Sequence, residues 1–356
     1  MTGIKPGTFE IRTSPHIKAA VTTDVIMRNV VYALMPICGF AVWAFGLSAL
    51  ALVCTTTAAT VITEHLVCKI SKKPTTVADF SAVITGILLA LTLPPGIPLW
   101  MGFVGGVVAI LLGKALFGGL GFNTFNPALV ARAFLQAAFP VAMTQWVPAF
   151  VDGRFSQCIP TTLIPPFLSP NMRADAMAGY LAQARIDGWS GATPLSLMKF
   201  GGKTTATMDL FTGMIPGSTG ETCAILILLG GVYLVARGMM NWRITAAMLA
   251  SAYVSSWLFC LADKTSPTPA FMLFSGGLML GAVFMATDMV ASPTTPLGVW
   301  IYGALMGFLT ILIRLKGGLP EGVMYAILLG NAVSPHIENL TQPRVFGTKR
   351  IKKAVK

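Results

Sequence analysis

Long apolar runs, each ended by proline, glycine or charged residues, constrain this 356-residue sequence more than any other feature. Ten are present, at 25–43, 47–68, 80–93, 98–117, 127–139, 218–236, 243–261, 269–286, 296–313 and 321–334. A helix needs about 20 apolar residues to cross a bilayer. Charged residues make up only 11% of the chain, against roughly 25% in soluble domains, so they cannot cover a soluble globule. The sequence predicts an all-α polytopic membrane protein, because a β-barrel would show alternation instead.

Several of the ten segments are too short to cross a membrane as straight helices. The third stops at Leu93-Pro94-Pro95-Gly96. The fifth begins at Asn126-Pro127, an N-cap followed by a proline at the first helical position, and ends before Pro140. The tenth is similarly short. Short segments interrupted by proline or glycine in corresponding halves are typical of discontinuous helices.

Two motifs recur about 200 residues apart. The sequence Gly118-Gly119-Leu120 returns as Gly317-Gly318-Leu319, at an offset of 199 residues. A proline-ended segment precedes Trp100, and another, ended by Ser292-Pro293, precedes Trp300. Two five-segment units with an odd number of spans must be inverted relative to each other. We therefore expect two inverted five-segment repeats with broken helices, an architecture that resembles urea channels.

Basic residues predict the orientation, because they collect in cytoplasmic loops. With the N-terminus inside, 16 basic residues, Lys114 included, lie on the cytoplasmic side, and only Lys264, Arg314 and Lys316 lie in short outer loops. The net charge of +12 therefore reflects membrane topology, and nucleic acid is not an expected partner. The predicted organisation is a cytoplasmic N-terminal segment (1–24), a first membrane repeat (25–139), a periplasmic loop (140–217), a second membrane repeat (218–334) and a basic cytoplasmic tail (335–356).

The connection over 140–217 is long enough to indicate a function. A small surface helix is expected over 173–186, followed by Asp187-Gly188-Trp189-Ser190-Gly191-Ala192-Thr193-Pro194. Asp-Gly predicts a turn, and Ser-Gly-Ala removes bulk around Thr193, while Pro194 stiffens the exit. An enzyme can bind such a strip in extended form and reach the threonine hydroxyl. An ordinary Ser/Gly turn is the alternative that the residues alone leave open.

The strip resembles the flavinylation motif Asp-Gly-x-Ser-Gly-Ala-Thr, in which bacterial flavin transferases join FMN to a threonine by a phosphoester. The chain as a whole resembles the D subunits of Rnf electron-transport complexes. The resemblance rests on this strip in the outer loop and on the segments Gly118–Ala128 and Gly217–Thr222. The chain is also similar to the B subunit of the sodium-translocating NADH:quinone reductase, whose longer N-terminal extension it lacks. The resemblance implies covalent FMN at Thr193. It places around that FMN the residues Asp187, Ser190, Gly191, Ala192 and Pro194.

The resemblance also implies a second, non-covalent flavin, riboflavin, near the cytoplasmic side. Two segments fall there in our topology, Gly118–Pro127 at the start of the fifth helix and Thr287–Pro293 at the end of the eighth. Glycines allow close approach of a flat ring, and a helix N-terminus favours an anionic reduced flavin. The candidate contacts are Asn123, Asn126, Thr287 and Asp288. Alternatively, Asn126 only caps its helix and Asp288 only ends its own.

The start of the sixth segment carries further candidate residues. Unpaired N–H groups at a helix start suit a phosphate or a carbonyl, so Ser218, Thr219 and Glu221 can steady the FMN. A plain cap by Ser218 or Thr219, with Glu221 completing a capping box, is the alternative. Ionisable residues in a membrane are usually functional. Glu64 and Arg132 are therefore candidates for ion coupling, although Glu64 can simply snorkel.

The resemblance implies a redox subunit of an ion-translocating oxidoreductase, which passes electrons across the bacterial inner membrane between the two flavins. The chain has no nucleotide-binding fingerprint and no Cys-x-x-Cys among its six cysteines, so we expect no metal site, and NAD and ferredoxin react on other subunits. The implied partners are an FMN-bearing periplasmic subunit, iron–sulfur membrane subunits, the bilayer and a flavin transferase. Alternatives are a B-type quinone-reductase subunit and a urea- or ammonium-type solute channel, which needs no flavinylation motif.

Overall fold

The computed structural model describes residues 22–166, 170–183, 191–263, 266–343 and 347, and the secondary structure in these ranges is helical. The first half contains α1 (Thr23–Phe45), α2 (Leu47–Ile70), α3 (Ser81–Thr92), α4 (Leu99–Ile110) and α5 (Pro127–Ala138). The long connection contains α6 (Pro140–Thr144), α7 (Pro170–Gln183), α8 (Pro194–Gly201) and α9 (Thr207–Thr212). The second half contains α10 (Ala224–Ala236), α11 (Trp242–Ala262), α12 (Pro269–Phe274), α13 (Leu278–Leu280), α14 (Pro296–Lys316) and α15 (Val323–Thr341).

Every predicted apolar segment coincides with helix, and the predicted interruptions are present. The fifth helix, α5, begins behind Asn126, whose Oδ1 accepts the Ala128 N–H at 3.1 Å. This confirms the N-cap that the Asn-Pro pair indicates. The eighth segment also contains a break that the sequence did not predict, because Ser275–Gly277 separates α12 from α13, and α13 continues in the π-helical turn Gly281–Met285. The fourth segment likewise ends in a π-helical turn, Leu111–Ala115.

The structure corrects two predicted boundaries. The sixth helix, α10, begins at Ala224, and Cys223 precedes it without a side-chain cap bond. The predicted capping box ending at Glu221 is therefore wrong, because the residues before α10 bond to other elements. The tenth helix, α15, is not short, since it runs through Pro335 to Thr341. A proline removes one helical N–H, but α15 continues beyond Pro335, where Ser334 and Ile337 are buried on either side of it.

Four of these helices, α1, α2, α11 and α14, are long and apolar enough to cross a membrane. The shorter apolar helices include α3, α4 with its π-helical turn, and α10. The chain is therefore an all-helical multi-pass membrane protein over the part that the structure describes. The crossing of the membrane by all ten segments as two inverted repeats stays a prediction.

The two halves pack in corresponding ways. In the first half α2 packs against α3 and α4, and α4 packs against α5. In the second half α11 packs against α12 and α14, and α14 packs against α15. The halves meet where α1 contacts α10 and where α5 contacts α15. The short helix α5 thus lies at the junction between the halves.

The long connection folds into a layer of its own. Helix α7 confirms a helix in the region of the predicted 173–186. Val147, Val151, Ile159 and Tyr180 form a small buried cluster. The Ile159 N–H donates to Ser48 Oγ at 2.7 Å, so this layer is attached to the start of α2.

Two basic residues that we counted in loops are instead buried. Lys114 is 5% exposed within its π-helical turn, and Arg314 is 1% exposed near the end of α14. Neither can report on sidedness by the loop-charge rule, because the rule applies to charges in water. Of the counted charges, 15 inner and two outer ones remain, so the predicted orientation keeps its basis.

The α11–α14 contact provides a test of the packing. A Cβ added at Gly307 would collide with the Met248 carbonyl oxygen, and overpacking costs about 1–3 kcal/mol. We expect Gly307→Ala to lower the thermal unfolding midpoint in detergent. Gly39→Ala in α1 meets no atom within 4 Å and should leave the midpoint unchanged or raise it, because alanine favours helix. Equal midpoints for the two variants would contradict this packing.

Candidate functional site

A cavity of about 330 Å³ lies beside Thr193, and we call it the Thr193 cavity. Three parts of the chain form it: the end of α5 with the following turn, residues 191–200, and the loop that leads into α15. Its size is within the range of small-molecule sites. Its wall includes Arg132, Met143, Trp146, Gly191, Ala192, Phe200, Glu321 and Tyr325.

Thr193 is the N-cap of α8. Its Oγ1 accepts the Ser196 N–H at 3.3 Å and donates to Ser196 Oγ at 3.2 Å. The residue is 5% exposed and lines the cavity with Gly191 and Ala192, while Pro194 begins the helix. Asp187 and Ser190 lie outside the described residues. The hydroxyl therefore faces a cavity at a helix N-terminus, where negative charge is favoured.

Lys199 holds α8 in place. Its Nζ donates to the carbonyl oxygens of Arg314 at 3.0 Å, Leu319 at 2.9 Å and Gly317. Burial lowers the pKa of this amine below its ordinary value. Because these carbonyls lie at the end of α14 and in the loop that follows it, the lysine joins α8 to a loop that also lines the cavity.

Arg132 lines the Thr193 cavity and is held by two carboxylates. Its Nη1 donates to Glu221 Oε1 at 2.7 Å, and its Nη2 donates to Glu321 Oε2. Arg132 and Glu221 are 8% and 5% exposed. Charges buried this deeply are stable only when they are paired and hydrogen-bonded. The guanidinium therefore joins α5 to the residues that precede α10 and α15.

The residues before α10 lie behind Arg132 and not in the cavity wall. Ser218 Oγ donates to Glu221 Oε2 at 2.7 Å. Thr219 bonds the Leu93 carbonyl through both its N–H, at 3.0 Å, and its hydroxyl, at 2.6 Å. The segment thus satisfies a free carbonyl at the end of α3. Ser218, Thr219 and Glu221 are therefore not in the cavity wall, and Glu221 acts on the wall through its ion pair with Arg132.

Arg314 supports the break in the eighth segment. Its Nη2 donates to the Ser275 carbonyl oxygen at 2.9 Å, and its Nη1 donates to that of Met272 at 2.5 Å. Gly276 has a φ of +61°, a conformation that favours glycine. A Cβ at Gly277 would collide with the Glu221 carboxylate. Arg132, Glu221 and Glu321 form an ionic cluster, which we call the Arg132 cluster. The break therefore lies directly against this cluster.

A second cavity, of about 370 Å³, lies between the two segments proposed for the non-covalent flavin. We call it the Asn123 cavity. The start of α1, the start of α3, the end of α10 and both segments line it. All four candidate contacts line this cavity: Asn123, Asn126, Thr287 and Asp288. Its apolar wall includes Met27, Met239, Met240 and Phe284.

The polar groups of this cavity are partly used within the protein. Asn126 caps α5, and its Nδ2 also donates to the Met285 carbonyl oxygen at 3.5 Å. The Asn123 Nδ2 donates to Phe125 O at 3.3 Å. The Asp288 carboxylate accepts the Val290 N–H at 3.1 Å. These bonds of Asn123 and Asp288 thus lie within their own segments, and Asn126 is first of all a cap.

Glu64 does not snorkel, because it is 3% exposed and pairs with Lys114 at 2.6 Å. Sequence analysis also missed Glu321 and the position of Lys114. Glu321 could have been identified from the sequence, because it is an acidic residue at the start of an apolar segment. No sequence signal pairs Lys114 with a residue 50 positions away.

Comparison with known proteins gives a consistent result. The chain matches the NQR2, RnfD, RnfE family over residues 10–347. It is 42% identical to the D subunit of the Na(+)-translocating ferredoxin:NAD(+) oxidoreductase complex of Acetobacterium woodii, and the match covers 97% of this chain and 98% of that protein.

Two further relatives cover nearly the same length. The chain is 40% identical to the D subunit of the proton-translocating ferredoxin:NAD(+) oxidoreductase complex of Clostridium ljungdahlii, over 98% of both proteins. It is 35% identical to the D subunit of the ion-translocating oxidoreductase complex of Actinobacillus succinogenes, over 95% of this chain and 98% of that protein.

The Arg132 cluster makes a stability prediction. Removing one partner of a buried ion pair costs about 3–5 kcal/mol, because the other charge is left uncompensated. We expect Arg132→Met to lose this much unfolding free energy in detergent, with two carboxylates left unpaired. Arg243→Met removes an exposed arginine, so its loss should stay within about 0.5 kcal/mol. Similar losses in both variants would show that the cluster is not a structural centre.

Proposed function

Since this chain belongs to the NQR2, RnfD, RnfE family, we propose that it is the flavin-carrying D subunit of an ion-translocating ferredoxin:NAD oxidoreductase. Its similarity to D subunits over nearly its whole length favours this over the B-type quinone-reductase subunit. In this function the chain passes electrons between a covalent FMN and a second flavin. The protein's part is to hold and orient the cofactors and to set their electrostatic surroundings.

The position of Thr193 is the observation that carries the proposal. A phosphoester at Thr193 Oγ1 would place its phosphate at the N-terminus of α8, beside the Ser196 N–H and hydroxyl. Both groups can donate to phosphate oxygens, and the helix dipole favours the charge. The adjacent cavity is lined by Trp146, Phe200 and Tyr325, which suit a flat aromatic ring. The donors and the aromatic wall therefore fit an FMN at this residue.

The Asn123 cavity fits a second, uncharged flavin such as riboflavin. Its methionines and Phe284 offer apolar contact to a flat ring, and Asn123 and Asp288 offer polar contacts at one edge. Lys114 supplies a positive charge in the same wall, which would favour an anionic reduced ligand. No phosphate-binding helix N-terminus is required here, because riboflavin lacks the phosphate.

The two cavities lie at opposite ends of the short helix α5. Asn126, before its first residue, lines one, and Arg132 and Gln136 line the other. Ten residues of helix correspond to about 15 Å, so flavins in the two cavities would be close neighbours. We propose that the Thr193 cavity is periplasmic and the Asn123 cavity cytoplasmic, as the loop charges favour. The ten segments would then form two inverted repeats around α5.

Covalent attachment is tested by Thr193→Val, which keeps the shape and removes the hydroxyl. We expect the flavin fluorescence of the denatured chain on a gel to disappear. The matched control is Thr268→Val, because Thr268 is also an N-cap threonine followed by a proline. It should lose a comparable cap, worth about 1 kcal/mol, and keep the fluorescence. A fluorescent Thr193→Val chain would exclude this attachment site.

The second flavin is tested by Asn123→Ala and Asp288→Ala. Losing a buried hydrogen bond costs about 1–3 kcal/mol, which is roughly a tenfold to hundredfold loss of affinity. Extractable riboflavin should therefore fall relative to covalent FMN in the purified complex. Asp209→Ala removes an exposed aspartate of α9 that is not part of the cavity wall and should leave the ratio unchanged. An unchanged ratio in the folded cavity variants would mean that Asn123 and Asp288 are structural.

A further inference from the structure

A buried ion pair lies next to the Asn123 cavity. Lys114 Nζ and Glu64 Oε1 are 2.6 Å apart, and both residues are at least 95% buried. Lys114 lies in the π-helical turn Leu111–Ala115. Such turns occur often at functional sites. Buried ion pairs are weak evidence for stability, so a pair retained here requires another explanation.

Lys114 is shared between the ion pair and the cavity. Its side chain lines the Asn123 cavity, where Asp288 is the other charged residue of the described wall. Its Nζ also donates to Ser81 Oγ at 2.6 Å, and that hydroxyl donates to Asp79 Oδ1 at 2.5 Å. A lysine is a compact charge on a flexible stem. It can therefore move its ammonium towards the cavity without backbone movement.

Glu64 is only half satisfied. Its Oε1 accepts from Lys114 and from the Thr76 hydroxyl, at 2.6 and 2.5 Å. Its Oε2 is buried and has no hydrogen-bond partner among the residues that the structure describes. A carboxylate oxygen buried in this way is costly and is a natural ligand for a hard cation. The ammonium of Lys114 contacts the other oxygen, Oε1, and so neutralises the charge that would attract such a cation.

We propose that Glu64 is a monovalent-cation site and that Lys114 is its tethered competitor. The cation is a proton or a sodium ion, since both are accepted by a carboxylate. This inference rests on the proposed function, because the ligand of the Asn123 cavity controls the lysine. The relatives' names include both a proton- and a Na(+)-translocating complex, so the experiment must distinguish the two ions.

Charge balance links the cavity to Glu64. A neutral flavin in the Asn123 cavity would carry one negative charge after it had taken up one proton and two electrons, which ferredoxin supplies through other subunits. The Lys114 ammonium is attracted to that charge and leaves Glu64, whose buried carboxylate then lacks a counter-charge. Uptake of one monovalent cation by Glu64 restores neutrality. Return of the ammonium on reoxidation expels the cation, so Lys114 couples redox state to cation binding.

The test measures the reactivity of Glu64 in the purified complex. Dicyclohexylcarbodiimide adds to protonated buried carboxyl groups, and mass spectrometry of the Glu64 peptide quantifies the product. The complex is labelled as oxidised and as dithionite-reduced protein, with sodium chloride or choline chloride at equal ionic strength. Extractable flavin is measured in every sample.

We expect little labelling of Glu64 in the oxidised complex and severalfold more after reduction in choline chloride. Protection of the reduced complex by sodium chloride assigns the site to sodium, and equal labelling in both salts assigns it to the proton. Lys114→Met should be labelled in both redox states, because the carboxylate has lost its partner. Lys114→Arg keeps the positive charge beside Glu64, so the oxidised variant should show as little Glu64 labelling as the oxidised wild type.

Two controls make the result specific. Glu64→Gln must remove the labelled peptide, and Lys69→Met, which removes an exposed lysine on the same helix, must behave as wild type. If Glu64 of a wild-type complex that contains its extractable flavin is labelled equally in both redox states, the proposed coupling through Lys114 is wrong. A wild-type complex without extractable flavin would instead contradict the proposed function. The wild-type comparison decides the proposal even if Lys114→Met does not fold.

Discussion

Backbone groups inside a membrane must find partners within the protein, and this constraint organises the structure around its helix breaks. At Ser275–Gly277 the freed carbonyls accept hydrogen bonds from Arg314. At the end of α3 they accept from Thr219 and Gly220. These donors come from other elements, so each break fixes the position of a distant part of the chain. The break after α3 thereby bonds to residues of the second half, and the break in the eighth segment is held by Arg314 within the second half.

The ionic cluster is the second consequence of this arrangement. Arg132 is the point where α5 meets Glu221 and Glu321. Gly277 of the eighth-segment break is required because the Glu221 carboxylate lies against it, and Gly276 is required by its positive φ. A single guanidinium thus connects the break, the start of α10 and the start of α15. It also lines the Thr193 cavity, so the same interaction that holds the fold together sets the charge beside the proposed FMN.

Family membership and local chemistry answer different questions about this protein. Similarity to D subunits over nearly the whole chain identifies the complex to which the chain is related. It does not identify the coupling ion, because two relatives of similar identity are named for different ions. That choice depends on the oxygen atoms around a single cation. Glu64, Thr76 and Ser81 supply such atoms beside the Asn123 cavity.

The sequence by itself determined the elements and the attachment candidate. Apolar runs and proline positions predicted the helices, since both act within one segment, and the Asn126 cap followed from local backbone chemistry. The attachment candidate Thr193 was also identified from the sequence, because the motif around it is contiguous in the chain. Tertiary structure decided the pairings, which join residues far apart in the chain, such as Lys114 with Glu64 and Arg132 with Glu321. It also decided that Lys114 and Arg314 are buried and not in loops. A charged residue at the end of an apolar run has the same sequence pattern in both cases, and only the partner supplied by another helix makes its burial possible.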